Sequence, residues 1–77
     1  MNKLSLLLES YGGKKEVLGR TVILYTHQNW IIYVRKDYKG YNLEITEFAG
    51  NNFAKVSKFQ STKMKDIIEY VENKLNK

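Results

Sequence analysis

The 77-residue chain contains no cysteine and no proline, one histidine and one tryptophan. Without cysteine there is no disulfide, no thiolate nucleophile and no cysteine-held zinc. Without proline there is no proline-rich linker. The lone histidine, His27, lies in the polar break "HQN" and has no second imidazole or thiolate to share a transition metal with. It also lacks a partner base for a hydrolytic dyad, so the expectation is a turn residue.

Long apolar runs are missing too. The longest, "LLL" and "VILY", fall well short of the ~20 residues that span a bilayer. Lys3 followed by "LSLLL" imitates a secretory leader, but Glu9 interrupts it and no small-x-small cleavage site follows. A cytoplasmic protein without membrane contact is expected. Catalytic patterns are equally sparse. "YGGKK" lacks the spacing and the terminal Ser/Thr of a phosphate-binding loop. Glu44 and Glu47, three apart on a strand, fall on opposite faces, and Glu69 and Glu72 sit on the solvent side of a helix. No catalytic residue, cofactor or metal is therefore expected, and the chain reads as a non-enzyme.

What is present is a clear change of period along one domain, residues 1–77. Leu4, Leu7, Leu8 and Tyr11 recur at helical spacing. They predict a helix over 3–11, capped by Asn2 and stopped by Gly12-Gly13, with a short link through Lys14 and Lys15 after it. From Val17 the period is two. "RTVILYT", "WIIYVRKDY", "YNLEITEF" and "FAKVSKFQ" predict four strands separated by "HQN", a Lys39-Gly40 turn and a Gly50-Asn51 turn. The Lys39-Gly40 turn pairs Val34 with Ile45 and Arg35 with Glu44; the Gly50-Asn51 turn pairs Phe48 with Phe53 and Ile45 with Val56. Met64, Ile67, Ile68, Val71 and Leu75 then predict an amphipathic helix over 62–75, with Ser61 or Thr62 as its N-cap. The fold class is α+β: a four-stranded antiparallel meander with a short N-terminal helix and a C-terminal amphipathic helix packed on it.

On this register Trp30, Ile32, Val34, Leu43, Ile45 and Val56 form the covered sheet face. The other face shows Tyr33, Arg35, Thr46, Phe48, Phe53, Lys55, Ser57 and Phe59, either covered by the N-terminal helix or a second copy, or left as a ligand surface. Charge singles out one region. The net charge is +5, and residues 51–65 carry Lys55, Lys58, Lys63 and Lys65 with no acid among them. Rings that stack on bases beside cations that hold phosphates are the requirements of a nucleic-acid platform. The candidate contact residues are Lys55, Lys58, Lys63, Lys65, Arg35, Tyr33 and Phe53.

The stretch from residue 29 to 72 has a hairpin opening at Trp30, a "KG" turn and a strand running into "KFQSTKMKDIIEY". It loosely resembles the three-stranded arm-type DNA-binding domains of tyrosine recombinases, which end in an aromatic, a Thr-Lys pair and a helix. That resemblance implies major-groove contact through the sheet; the extra strand and the acids Glu44 and Glu47 depart from the pattern. The helix-strands-helix order is also similar to double-stranded RNA-binding domains, but the lysine cluster at the start of their second helix is thin here. Neither likeness assigns a family. The functional expectation is a binding module for DNA or RNA. Its alternative is a protein-interaction module (inhibitor, adaptor or homodimer subunit) using the Phe-rich face. Lysine- and asparagine-rich usage with few arginines fits a small accessory protein of an AT-rich bacterium, its phages or its mobile elements.

Overall fold

A computed structural model describes residues 2–50 and 53–76. The order is α1 (Asn2–Ser10), β1 (Lys14–Val17), β2 (Val22–Thr26), β3 (Trp30–Asp37), β4 (Gly40–Phe48), β5 (Ala54–Ser61) and α2 (Met64–Leu75). The strands form one antiparallel sheet in the order β1-β2-β3-β4-β5. The α+β meander expected from the sequence is thus present, with five strands rather than four. The added strand is β1, "KKEV", whose first two residues, Lys14 and Lys15, are expected from the sequence to be a link. All four of its residues are exposed, so no buried alternation marks it as a strand.

Both helices lie on one face of the sheet. Leu4 and Leu8 of α1 and Ile67 and Val71 of α2 close over Tyr25, Trp30, Ile32, Val34, Leu43 and Ile45. Full burial of each of these leucine and isoleucine side chains contributes about 1.5–3 kcal/mol. α1 ends as its two glycines require. Gly12, at φ +89, donates to the Glu9 carbonyl, and Gly13 donates to the Leu8 carbonyl at 2.9 Å, the paired bonds of a Schellman stop. Asn2 lies inside α1 instead of capping it.

The β3–β4 hairpin keeps the expected faces but shifts its register by two. Val34 pairs with Leu43, Arg35 with Asn42 and Asp37 with Gly40, so the loop is Tyr38-Lys39. The Asp37 carboxylate decides this by accepting the Lys39 backbone N–H at 2.8 Å and the Asn42 amide at 2.9 Å. Asp at the first and Gly at the fourth position is the preferred order for such a turn. The expected Arg35–Glu44 pair does not form; Arg35 lies 3.8 Å from Asp37 on its own strand.

The β4–β5 register slips by one, which moves every β5 side chain to the opposite face. Ile45 pairs with Ser57 and Phe48 with Ala54, because the connection has five residues rather than four. Gly50, at φ +70, begins the turn; Asn51 lies outside the described residues. Phe59, expected on the open face, instead stacks on Tyr70 of α2 at 4.4 Å. Val56, expected in the core, is 51% exposed. The slip also places Lys58 opposite Glu44 and Lys55 opposite Glu47, two opposite-charge pairs of the kind that favour a register.

At the end of β5, Lys63 is the N-cap of α2 and makes no side-chain cap bond. Ser61, one of the two expected caps, accepts the Lys63 backbone N–H at 3.2 Å and donates to Asp66 at 2.7 Å. It ties the strand to the first turn of the helix from two residues upstream. Among the described residues, no helix is long and apolar enough to cross a membrane.

Candidate nucleic-acid interface

A meander sends alternate connections to the same end of its sheet. The β1–β2 loop, the β3–β4 turn and the β5–α2 junction therefore share one pole. Three contacts fix this. The Lys36 backbone N–H donates to the Thr21 carbonyl at 2.8 Å, Val22 pairs with Arg35, and Tyr41 pairs with Ser61. Gly40 packs so tightly here that a Cβ would lie 2.6 Å from the Ser61 carbonyl oxygen and 2.8 Å from Thr62 Cα. With φ at +132 as well, the position accepts only glycine without backbone movement.

This pole gathers Arg20, Arg35, Lys36, Lys39, Lys63 and Lys65, all exposed. Asp37 and Asp66 lie among them, and both are engaged. Asp66 accepts from Ser61. Asp37 accepts from Lys39 and Asn42, and those hydrogen bonds, the Lys39 backbone N–H first, hold its carboxyl below its ordinary value of 3.8. Tyr38, at the turn tip, is 92% exposed with the Lys39 ammonium 5.7 Å from its ring centroid. The N-terminus of α2 points its free backbone donors at the same pole, adding partial positive charge. The opposite end, around the β2–β3 and β4–β5 loops, carries Lys14, Lys55 and Lys74 against Glu9, Glu47 and Glu72.

The residues expected to form a site divide four ways. Lys63 and Lys65 lie at the basic pole, with Arg35 at its margin. Tyr33, Arg35 and Lys58 share the sheet face away from the helices, where with Asn42, Glu44 and Gln60 they line a shallow hollow of about 420 Å³. Lys55 lies on the helix side opposite Glu47. Phe53, 74% exposed, precedes β5 at its far end, so the eight residues of that strand, about 26 Å at ~3.3 Å per residue, lie between it and the basic pole. The expected set is thus not one cluster.

Arg20, Lys36 and Lys39 join the pole although they are not among the candidate contact residues expected from the sequence. The signal was available: connections in an antiparallel meander alternate ends, so the turn that precedes the last two strands lies at the end where the last strand exits.

The bare sheet face is half apolar. Leu24, Ile31, Tyr33 and Thr46 line a second depression of about 320 Å³ with Glu44, and Val56, on the same face, is 51% exposed. Among the described residues, no three His, Asp or Glu side chains come together as metal ligands would. His27 accepts the Asn29 backbone N–H at Nδ1, 3.0 Å, and stacks on Trp30 at 4.9 Å. No family model matches the chain, and neither the curated proteins nor the solved structures contain a significant match to it.

Proposed function

We propose that the protein is a non-enzymatic nucleic-acid-binding module that holds a phosphate backbone at its basic pole. The observation that supports this reading is the convergence of Arg20, Arg35, Lys36, Lys39, Lys63 and Lys65 from three separate segments. Six cations, with Asp37 and Asp66 among them internally engaged, give a local field that the +5 total only partly conveys. Tyr38 offers a stacking surface within the cluster, as single-stranded ligands need. Lys55 and Phe53 are outside this contact zone.

The test is fluorescence anisotropy with single- and double-stranded oligonucleotides at two salt concentrations. Each seated phosphate adds about −0.9 (duplex) or about −0.7 (single strand) to the slope of log affinity against log salt. Lys36→Glu with Lys39→Glu is expected to weaken binding and flatten the slope by about two phosphates' worth, whereas Lys55→Glu leaves both nearly unchanged. Absence of binding below ~100 μM at low salt would sink the proposal, since non-specific binders ordinarily reach that range. So would equal sensitivity to Lys55→Glu.

The bare sheet face favours a second reading, in which a protein partner or a second copy docks on Leu24, Ile31, Tyr33 and Val56. Concentration-dependent mass in light scattering is its signature.

A further inference from the structure

The pole opposite the cations contains a hollow of about 410 Å³, within the range of small-ligand sites. Its walls are aromatic: Tyr11 after α1, the His27–Trp30 stack from the β2–β3 turn, and Phe48 at the end of β4. Glu47 and the side of α2 at Lys74 complete it. Glu47 is the anomaly. Its Oε1 is removed from solvent and has no hydrogen-bond partner, a costly state for a carboxylate oxygen in an apolar setting.

Two lysines are near enough in the fold to be candidates for its counter-charge, and neither serves. Lys55 is the cross-strand partner of Glu47, yet among the described residues the ion pair that forms is Arg35–Asp37, not one with Glu47. The Lys74 ammonium is directed instead at the Tyr70 ring, 5.7 Å from its centroid. The hollow is therefore lined by a carboxylate that has no ion-pair partner among the described residues, ringed by π-faces.

An acceptor of that charge is best satisfied by a donor carrying positive charge, which forms the stronger class of hydrogen bond. Aromatic rings attract the same group through their quadrupoles. We propose that this hollow is a binding site for an organic cation, a guanidinium or ammonium group on a short aliphatic chain, anchored on Glu47 and enclosed by Tyr11, the His27–Trp30 stack and Phe48. A neutral nucleobase can use the rings but brings no charge to the carboxylate. This site takes a ligand of opposite charge at the opposite pole from the phosphate site, so either can fail without the other.

Trp30 is the only tryptophan and lines the hollow, so its fluorescence reports occupancy directly. Titration of the full chain with agmatine is expected to give a saturable change with a dissociation constant on the order of a millimolar or tighter, as a ligand of this size allows. Glu47→Gln preserves shape and removes charge, and is expected to weaken agmatine about tenfold or more. Phe48→Leu keeps the apolar contact, removes the ring and should weaken it less. Lys63→Glu, at the other pole, serves as the unaffected control. A blocked arginine amide that binds as tightly as agmatine identifies the source as a protein arginine, and one that binds far more weakly identifies a free amine. The proposal is overturned by no saturable response up to about 10 mM, by unchanged affinity in Glu47→Gln, or by guanosine monophosphate producing the same response as agmatine.

Discussion

The hydroxyls of Ser5 and Tyr25 meet at 2.6 Å inside the core, joining α1 to β2 by the one polar contact between those layers among the described side-chain bonds. Each is the other's partner, so removing either leaves a buried hydroxyl unsatisfied. Ser5→Ala is expected to cost about 1–3 kcal/mol in urea unfolding, and Tyr25→Phe a comparable amount. The double variant should be clearly less destabilised than the sum of the two, because both polar groups go together. Strict additivity would show that the bond constrains nothing. Tyr25 also predicts an alkaline limit. Burial raises its phenol above the ordinary 10.0, with Glu9 adding to the effect and the Ser5 hydrogen bond opposing it. The folded state thus favours the neutral phenol. Its contribution is complete below pH 10 and is lost as pH rises through the folded-state value, so wild type should lose more stability above pH 10 than Tyr25→Phe does.

Elements were legible in proportion to how strongly one face is buried. β3 and β4 alternate apolar and polar residues, and Trp30, Ile32, Val34, Leu43 and Ile45 all point into the core as the alternation requires. α2 follows its 3.6 stripe. β1 is illegible by that criterion, since an edge strand with all its residues exposed has no pattern to read. The β5 slip has a different origin. Turn length alone was ambiguous, while the Phe59–Tyr70 stack that accompanies the observed register depends on a partner in another layer. Both edge strands carry paired lysines, Lys14 and Lys15 on β1 and Lys55 and Lys58 on β5, and charge on an edge deters pairing with another sheet. Part of the lysine surplus near residue 55 is thereby explained without any ligand. Lys55→Val with Lys58→Val should melt close to wild type yet scatter light increasingly with concentration. A variant that stays monodisperse would remove edge protection as their role.

At the scale of the whole molecule two surfaces stand apart, a basic pole facing along the strands and a half-apolar sheet face at right angles to it. The bare face is roughly 20 Å across five strands and roughly 20 Å along them, or on the order of 400 Å² per copy. A face-to-face pair would bury somewhat under the ~1,000 Å² expected of a specific interface, so any self-association through it should be weak and confined to high concentration. Ile31 lies on the central strand of this face, paired with Thr26 and Thr46 and lining its apolar depression. Its replacement by lysine, partly exposed and away from the core, should leave folding nearly unchanged while abolishing concentration-dependent mass in light scattering. The same Ile31→Lys variant separates the two surfaces. If phosphates seat at the pole, oligonucleotide affinity and its salt slope stay as in wild type, or strengthen slightly from the added charge. A marked loss of affinity would instead place the nucleic acid across the sheet, on Tyr33, Arg35 and Lys58, and the lysines of the pole would then be bystanders.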